Sequence, residues 1–173
     1  MKKEQIKTRM ITRSTHNTRI SERMMEFGVQ LWEPVLLDEK DEIEITEYIA
    51  DIVQQHQQGV VTPCILILAY NICRDHIHII LQCTESDRDN IVRKLKWKST
   101  QLYKNKHHIK ETLHLRWQKY NHSEIKDEKY LFNAMEYIKT NREHHDLPIS
   151  KGLQPLVHTI VCKDYIFDTI QYK

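Results

Sequence analysis

Pro63-Cys64-Ile65-Leu66-Ile67-Leu68-Ala69-Tyr70, followed after three residues by Arg74-Asp75-His76-Ile77-His78-Ile79-Ile80-Leu81-Gln82, is the stretch whose reading decides the fold. The first run is too short and too apolar for a surface helix and reads as a buried strand. The second follows after a short connection, so the two form an antiparallel hairpin. On a strand, residues two apart face the same side. His76 and His78 therefore project together, while Ile77 and Ile79 face the core. Two imidazoles on one strand face are half of a divalent-metal site. In a chain with 11 histidines, a chance pair is an equally open reading.

Working outward, a helical period begins at Glu42, with Ile45, Tyr48, Ile49, Ile52 and Val53 on one face and Gly59 just past its end. After the hairpin, Asp87 or Asp89 can cap a helix running to about Tyr103, with Ile91, Leu95, Ser99 and Leu102 inside. Leu113–Ile125 reads as a strand or two, entered by Leu115-Arg116-Trp117-Gln118. Asp127 opens a last helix to about Arg142, with the stripe Leu131, Ala134, Met135 and Ile138. Met10–Ile20 reads as a strand of poor alternation. The expected fold is α+β: a ferredoxin-like sandwich, an antiparallel sheet with helices packed on one face. Residues 1–40 are expected to form a divergent N-terminal segment of the same domain, 41–148 its main body and 149–173 a C-terminal tail.

The 173 residues suffice for one well-cored domain, and 40% hydrophobic with 29% charged content is that of a soluble globular protein. Only three glycines, Gly28, Gly59 and Gly152, stand far apart, which excludes the clustered Gly of dinucleotide and P-loop motifs. The net charge of +2 hides a strong pattern. Residues 25–87 hold two basic and twelve acidic side chains, whereas residues 88–126 hold eleven basic and three acidic. Clustered Lys and Arg of that kind bind phosphate backbones, though a solvated helix face reads the same way. The four cysteines show no zinc spacing, no apolar run reaches the length of a membrane span, and nothing at the N-terminus resembles a signal peptide. A cytoplasmic location with reduced thiols is the expectation.

The third position of a histidine triad is Ile80, so that reading fails; a two-histidine phosphodiesterase needs two His-x-Thr or His-x-Ser copies, and His16-Asn17-Thr18 is the single one in the chain, so that reading fails too. In Glu136-Tyr137-Ile138-Lys139-Thr140-Asn141, Tyr137 and Asn141 are four apart and share a helix face. A phenol with its ordinary pKa near ~10 attacks poorly unless a cation stabilises its anion. Tyr137 with a nearby metal held by His76, His78 and Asn141 could supply that; an amphipathic boundary tyrosine and a C-terminal polar group would look the same.

The ordered set Ala69-Tyr70 … Asp75-His76-Ile77-His78, Ile91-Val92-Arg93-Lys94-Leu95-Lys96, Arg116-Trp117-Gln118-Lys119-Tyr120 and Tyr137-Ile138-Lys139-Thr140-Asn141 resembles the single-tyrosine HUH transposases, most of all their REP-associated branch. The resemblance covers roughly residues 43–148. It implies a ferredoxin-like, metal-dependent endonuclease and transposase acting on single-stranded, hairpin-forming DNA. His76 and His78 would hold Mg²⁺ or Mn²⁺ with Asn141. Asp75, standing where REP-associated members commonly have Asn, would add a carboxylate near the metal. Tyr137 would form a 5′-phosphotyrosine link, with Tyr130, seven residues earlier, as its rival. Arg93, Lys94, Lys96 and Lys98 would meet backbone phosphate, with Lys119 beside them, while Trp97, Trp117 and Tyr120 are stacking candidates, though a Trp is more often a core residue than a platform. Where the family often ends this helix in Asn-Pro, the chain has Asn141-Arg142. A homodimer sharing active sites is compatible with the resemblance.

Two other classes remain at this stage. A catalytically silent hairpin-binding module would bind nucleic acid with steep salt dependence and form no adduct. A small-molecule metalloenzyme using His76 and His78 would leave the basic helix without a role.

Overall fold

The structure is a computed structural model that describes residues 5–15, 26–28, 35–59, 65–110, 117 and 119–162. In chain order its elements are β1 (Lys7–Ser14), α1 (Glu39–Gln57), β2 (Leu66–Cys73), β3 (His76–Cys83), α2 (Glu85–Lys106), β4 (Asn121–Glu124), α3 (Glu128–Lys139), α4 (Asn141–His144) and α5 (Leu153–Ile160). The strands form one antiparallel sheet in the order β2-β3-β1-β4. This is the ferredoxin-like plan, and the α+β class follows from it.

The three long helices, α1, α2 and α3, each start where a side chain satisfies a first free N–H group. Asp38 caps α1 in a reciprocal box with Asp41. Thr84, rather than Asp87 or Asp89, caps α2, its hydroxyl accepting from the Asp87 N–H. Asp127 caps α3 as expected. The expected helix through Arg142 instead stops at Lys139, and Asn141 opens the separate single turn α4.

β3 is buried along all eight residues because both of its faces are covered. Ile77, Ile79 and Leu81 pack with Ile45 and Ile49 of α1 and Ile91 and Leu95 of α2. Ile80 packs the other way, with Leu68, Leu131, Ala134 and Ile138. The expectation of helices on one face thus holds for α1 and α2, while α3 lies across the opposite face. That second face carries the histidines.

β1 begins earlier than Met10 and forms the inner strand between β3 and β4. Of the expected Leu113–Ile125 strand, β4 covers Asn121–Glu124; residues 111–116 and 118 lie outside the described residues. The stretch expected as a tail from residue 149 includes a packed helix: Leu153 and Ile160 of α5 enter the core beside α1. Gly152 lets α5 approach closely, since a Cβ there would sit 2.5 Å from the Ile43 side chain. Just beyond α5, Val161 bridges Ile67 on the free edge of β2. Cys73 and Cys83 are buried free thiols, and Cys162 is a half-buried one. No helix among the described residues is long and apolar enough to cross a membrane.

Candidate active site on the β3–α3 face

The strand pleat places His76 and His78 side by side, their rings 4.9 Å apart and edge to face, and both are buried. Each ring is held from behind through Nδ1. His76 Nδ1 lies 2.7 Å from Asp75 Oδ1, and His78 Nδ1 lies 3.0 Å from the hydroxyl of Thr12, its register partner on β1. Since a carboxylate only accepts, the Asp75 contact puts the His76 proton on Nδ1 and the lone pair on Nε2. Asp75, expected as a metal ligand, therefore sits on the far side of the ring and orients it, the carboxylate–histidine arrangement of many metal sites.

Asn141 completes this group from α4. It is fully buried, its Oδ1 lies 3.0 Å from His76 Nε2, and its Nδ2 has no hydrogen-bond partner. Two lone pairs facing each other at that distance repel unless something positive lies between them, a proton or a cation, or unless the amide turns over. Their 3.0 Å spacing is also that of adjacent ligands on an ion bound at about 2.1 Å by each. Two imidazole nitrogens and an amide oxygen thus fit a divalent ion with positions left open for substrate. Among the described residues no three His, Cys, Asp or Glu side chains converge as ligands, so the third donor here would be the amide.

Asn141 is placed by its neighbour. Arg142 reaches back so that Nη1 lies 2.6 Å from Glu42 Oε2 and 3.3 Å from the Ile72 carbonyl, while Nε donates to the Pro148 carbonyl at 2.9 Å. The other oxygen of the buried Glu42 accepts from the Arg74 N–H at 2.5 Å, in the turn just before Asp75 and His76. One ion pair therefore ties down both sides of the His76–Asn141 contact. Asn71, opposite His78 in register, adds a bond of 2.8 Å to the Ile138 carbonyl at the end of α3.

Tyr137 stands at the mouth of this group, 42% exposed. Its ring meets His78 edge to face at 5.4 Å and stacks on His144 at 5.7 Å, while His145 packs against His76 at 4.7 Å. His144 and His145 are both exposed side chains that nevertheless line this mouth. Their spacing of three and four residues from Asn141 was the available signal, since one helical turn returns them to the same region. Tyr130 is comparably exposed, at 41%, yet lies about 10 Å along the helix axis from Tyr137. Of these two tyrosines, Tyr137 is the one whose ring meets a histidine of the pair.

The expected DNA contacts are not gathered at this site. Arg93, Lys94, Lys96 and Lys98 belong to α2, across the sheet from the histidines; Arg93 and Lys98 are exposed, Lys94 and Lys96 half-buried. Trp97 is 62% exposed beside them. Trp117 is a correction: it is only 4% exposed, and its indole N–H donates to the Thr100 hydroxyl at 3.0 Å, so it is a core residue rather than a stacking platform. Lys119 is exposed. Tyr120 is half-buried, with its hydroxyl hydrogen-bonded to Asp89 and to Arg88 Nε; burial and the Asp89 carboxylate raise its pKa.

A family model described as "Transposase IS200 like" matches residues 33–141. Among solved structures, the chain is similar to the REP-associated tyrosine transposase bound to a REP hairpin, at 18% identity and TM-score 0.48, covering 87% of this chain and 84% of that one. A candidate transposase from Deinococcus radiodurans R1 is similar at 16% identity and TM-score 0.42, covering 79% and 90%. No curated protein matches the chain.

Proposed function

The chain belongs to the IS200-like transposase family, and on that premise we propose that it cleaves and rejoins single-stranded DNA through a tyrosine-linked intermediate with a divalent metal. The observation carrying this reading is the convergence of His76, His78, Asn141 and Tyr137, drawn from β3, α4 and α3, on one face of the sheet.

The Nε2 atoms of His76 and His78 and the Oδ1 atom of Asn141 would hold Mg²⁺ or Mn²⁺, with Asp75 and Thr12 fixing the rings. Bound there, the ion would supply Lewis-acid polarisation of the scissile phosphate. Tyr137 gives up its phenolic proton to solvent and its oxygen attacks the phosphorus. The P–O3′ bond breaks, a 5′-phosphotyrosine forms, and the departing oxygen takes a proton to become a 3′-hydroxyl. A later 3′-hydroxyl attacks the phosphotyrosine and regenerates Tyr137. The exchanged bonds are equivalent phosphodiesters, so no nucleotide cofactor is needed, in keeping with a sequence that lacks phosphate-cradling glycines.

The substrate we propose is single-stranded DNA in a hairpin-forming context, as the resemblance of these motifs to REP-associated members implies. The basic face of α2, with Arg93 and Lys98 exposed, would hold flanking phosphates on the far side of the sheet. Cleavage of end-labelled single-stranded oligonucleotides with Mg²⁺, Mn²⁺ or chelator tests the reading. Metal-dependent nicking that His76→Ala or His78→Ala abolishes is the expected result. Salt-sensitive binding without cleavage under any metal would replace it by a silent binding module of the same fold.

A further inference from the structure

α3 covers only part of the sheet face that carries the histidines. Its apolar stripe, Leu131, Ala134 and Ile138, seats on Leu68 of β2 and Ile80 of β3. One flank of the helix, with Phe132, Met135 and Lys139, borders a cavity of about 670 Å³ toward the β2 edge and α5. The opposite flank carries Tyr137 and, seven residues earlier and so nearly in line with it, Tyr130.

That second flank faces the β1–β4 half of the sheet, because Tyr137 meets His78 there and Thr12 of β1 bonds the same ring. Residues on this face follow from the register. Thr12 pairs with His78 on one side and with Asn121 on the other, and Met10 pairs with Ile80 and with Ser123. Asn121 and Ser123 are exposed. The result is a shelf of neutral polar side chains walled by two exposed tyrosines and opening onto the proposed metal site.

We infer that this trough is the track of the single strand, and that Tyr130 is the platform on which an unpaired base stacks, one to two nucleotides from the phosphate that Tyr137 attacks. The inference rests on the nuclease reading above and adds the path of the substrate to it. The chemistry selects the occupant. A strand whose phosphate lies at Tyr137 has the two flanks of α3 as its nearest surfaces. The Tyr130 flank offers an aromatic face together with Thr12, Asn121 and Ser123, which donate and accept hydrogen bonds without repelling phosphate. Every base has a face that can stack on a phenol ring, and only an unpaired base presents it. Tyr130 thereby has a role that does not compete with Tyr137.

The test uses the full chain carrying Tyr137→Phe to prevent cleavage, with fluorescence anisotropy of a fluorescein-labelled single-stranded oligonucleotide and of the same sequence as a duplex. Adding Tyr130→Phe, which keeps the ring, should change single-strand affinity less than about 2-fold, whereas Tyr130→Ala should weaken it about 5- to 150-fold. Duplex affinity should respond to neither change, and thermal melts should coincide because Tyr130 is exposed. Equal single-strand affinity for the Phe and Ala variants, or an equal loss on duplex, overturns the inference and leaves the nuclease reading standing. Failure of the Tyr137→Phe parent to bind any single strand overturns both.

Discussion

His76 Nε2 and Asn141 Oδ1 lie 3.0 Å apart although 65 residues separate them in the chain, and both side chains are buried. With Asp75 drawing the His76 proton to Nδ1, Nε2 and Oδ1 present two lone pairs to each other in a buried site unless a proton, a cation or a turned-over amide intervenes. Such an arrangement costs free energy until a positive charge enters it. This contact supports the proposed ion site between β3 and α4.

Metal affinity should follow from that contact. Asn141→Ala removes one donor and should abolish measurable Mn²⁺ binding by calorimetry, while Asn141→Asp, which adds a negative charge at the same reach, should retain it. Asp75→Ala should weaken Mn²⁺ binding about 10- to 100-fold, the range for residues that orient a ligating histidine. An unchanged affinity in Asp75→Ala would remove its orienting role.

The Glu42–Arg142 pair should behave as a buried ion pair with few alternatives. Arg142→Ala leaves the Glu42 carboxylate desolvated and should cost about 3–5 kcal/mol in urea unfolding. Glu42→Gln combined with Arg142→Met should recover much of that loss, since no unpaired charge is then buried. Non-additivity in this double-mutant cycle is the measurement.

Trp117 should report on stability and not on DNA. Trp117→Phe keeps most of the apolar volume but strips Thr100 of its donor, and should cost about 1–3 kcal/mol with unchanged single-strand affinity. Trp97→Ala, at an exposed position, should leave the unfolding free energy within about 0.5 kcal/mol of the native chain's.

Acid should loosen the α1–α2 contact. Burial alone would raise the Glu44 pKa, but hydrogen bonds from His107, Lys106 and Tyr48 outweigh it and hold the carboxyl below its ordinary range. A depressed carboxyl stabilises the fold above its unfolded pKa of about 4.3, and that contribution fades as pH falls through the folded value. Urea midpoints of the native chain and Glu44→Gln should therefore differ at neutral pH and converge in acid.

The parts of this fold that the sequence made legible are those with clean periods. Alternation in Asp75–Leu81 revealed which residues face the core and that the two histidines share the other side, because a covered strand leaves no freedom of register. β1 was obscure because its core-side positions include Arg9, which is buried and paired with Glu85 rather than apolar. α5 was hidden by Gly152 and Pro155, which read as loop. Pro155 in fact occupies the first turn, where its missing N–H leaves no bond unmade. The stop at Thr140, whose hydroxyl turns back to the Glu136 carbonyl, has no apolar signature, so the single turn that delivers Asn141, His144 and His145 was read as more of the same helix. Which side of the sheet α3 covers depends on packing between distant segments, and local pattern carries no record of it.

The central claim is that Tyr137 is the group that joins DNA. Incubating the full chain with a cleavable single-stranded oligonucleotide and Mn²⁺, digesting the covalent product and locating the nucleotide-bearing peptide by mass spectrometry tests it most directly. The account predicts the phosphodiester on Tyr137, with no adduct from Tyr137→Phe; a nucleotide attached to Tyr130, or an undiminished adduct from Tyr137→Phe, would contradict it.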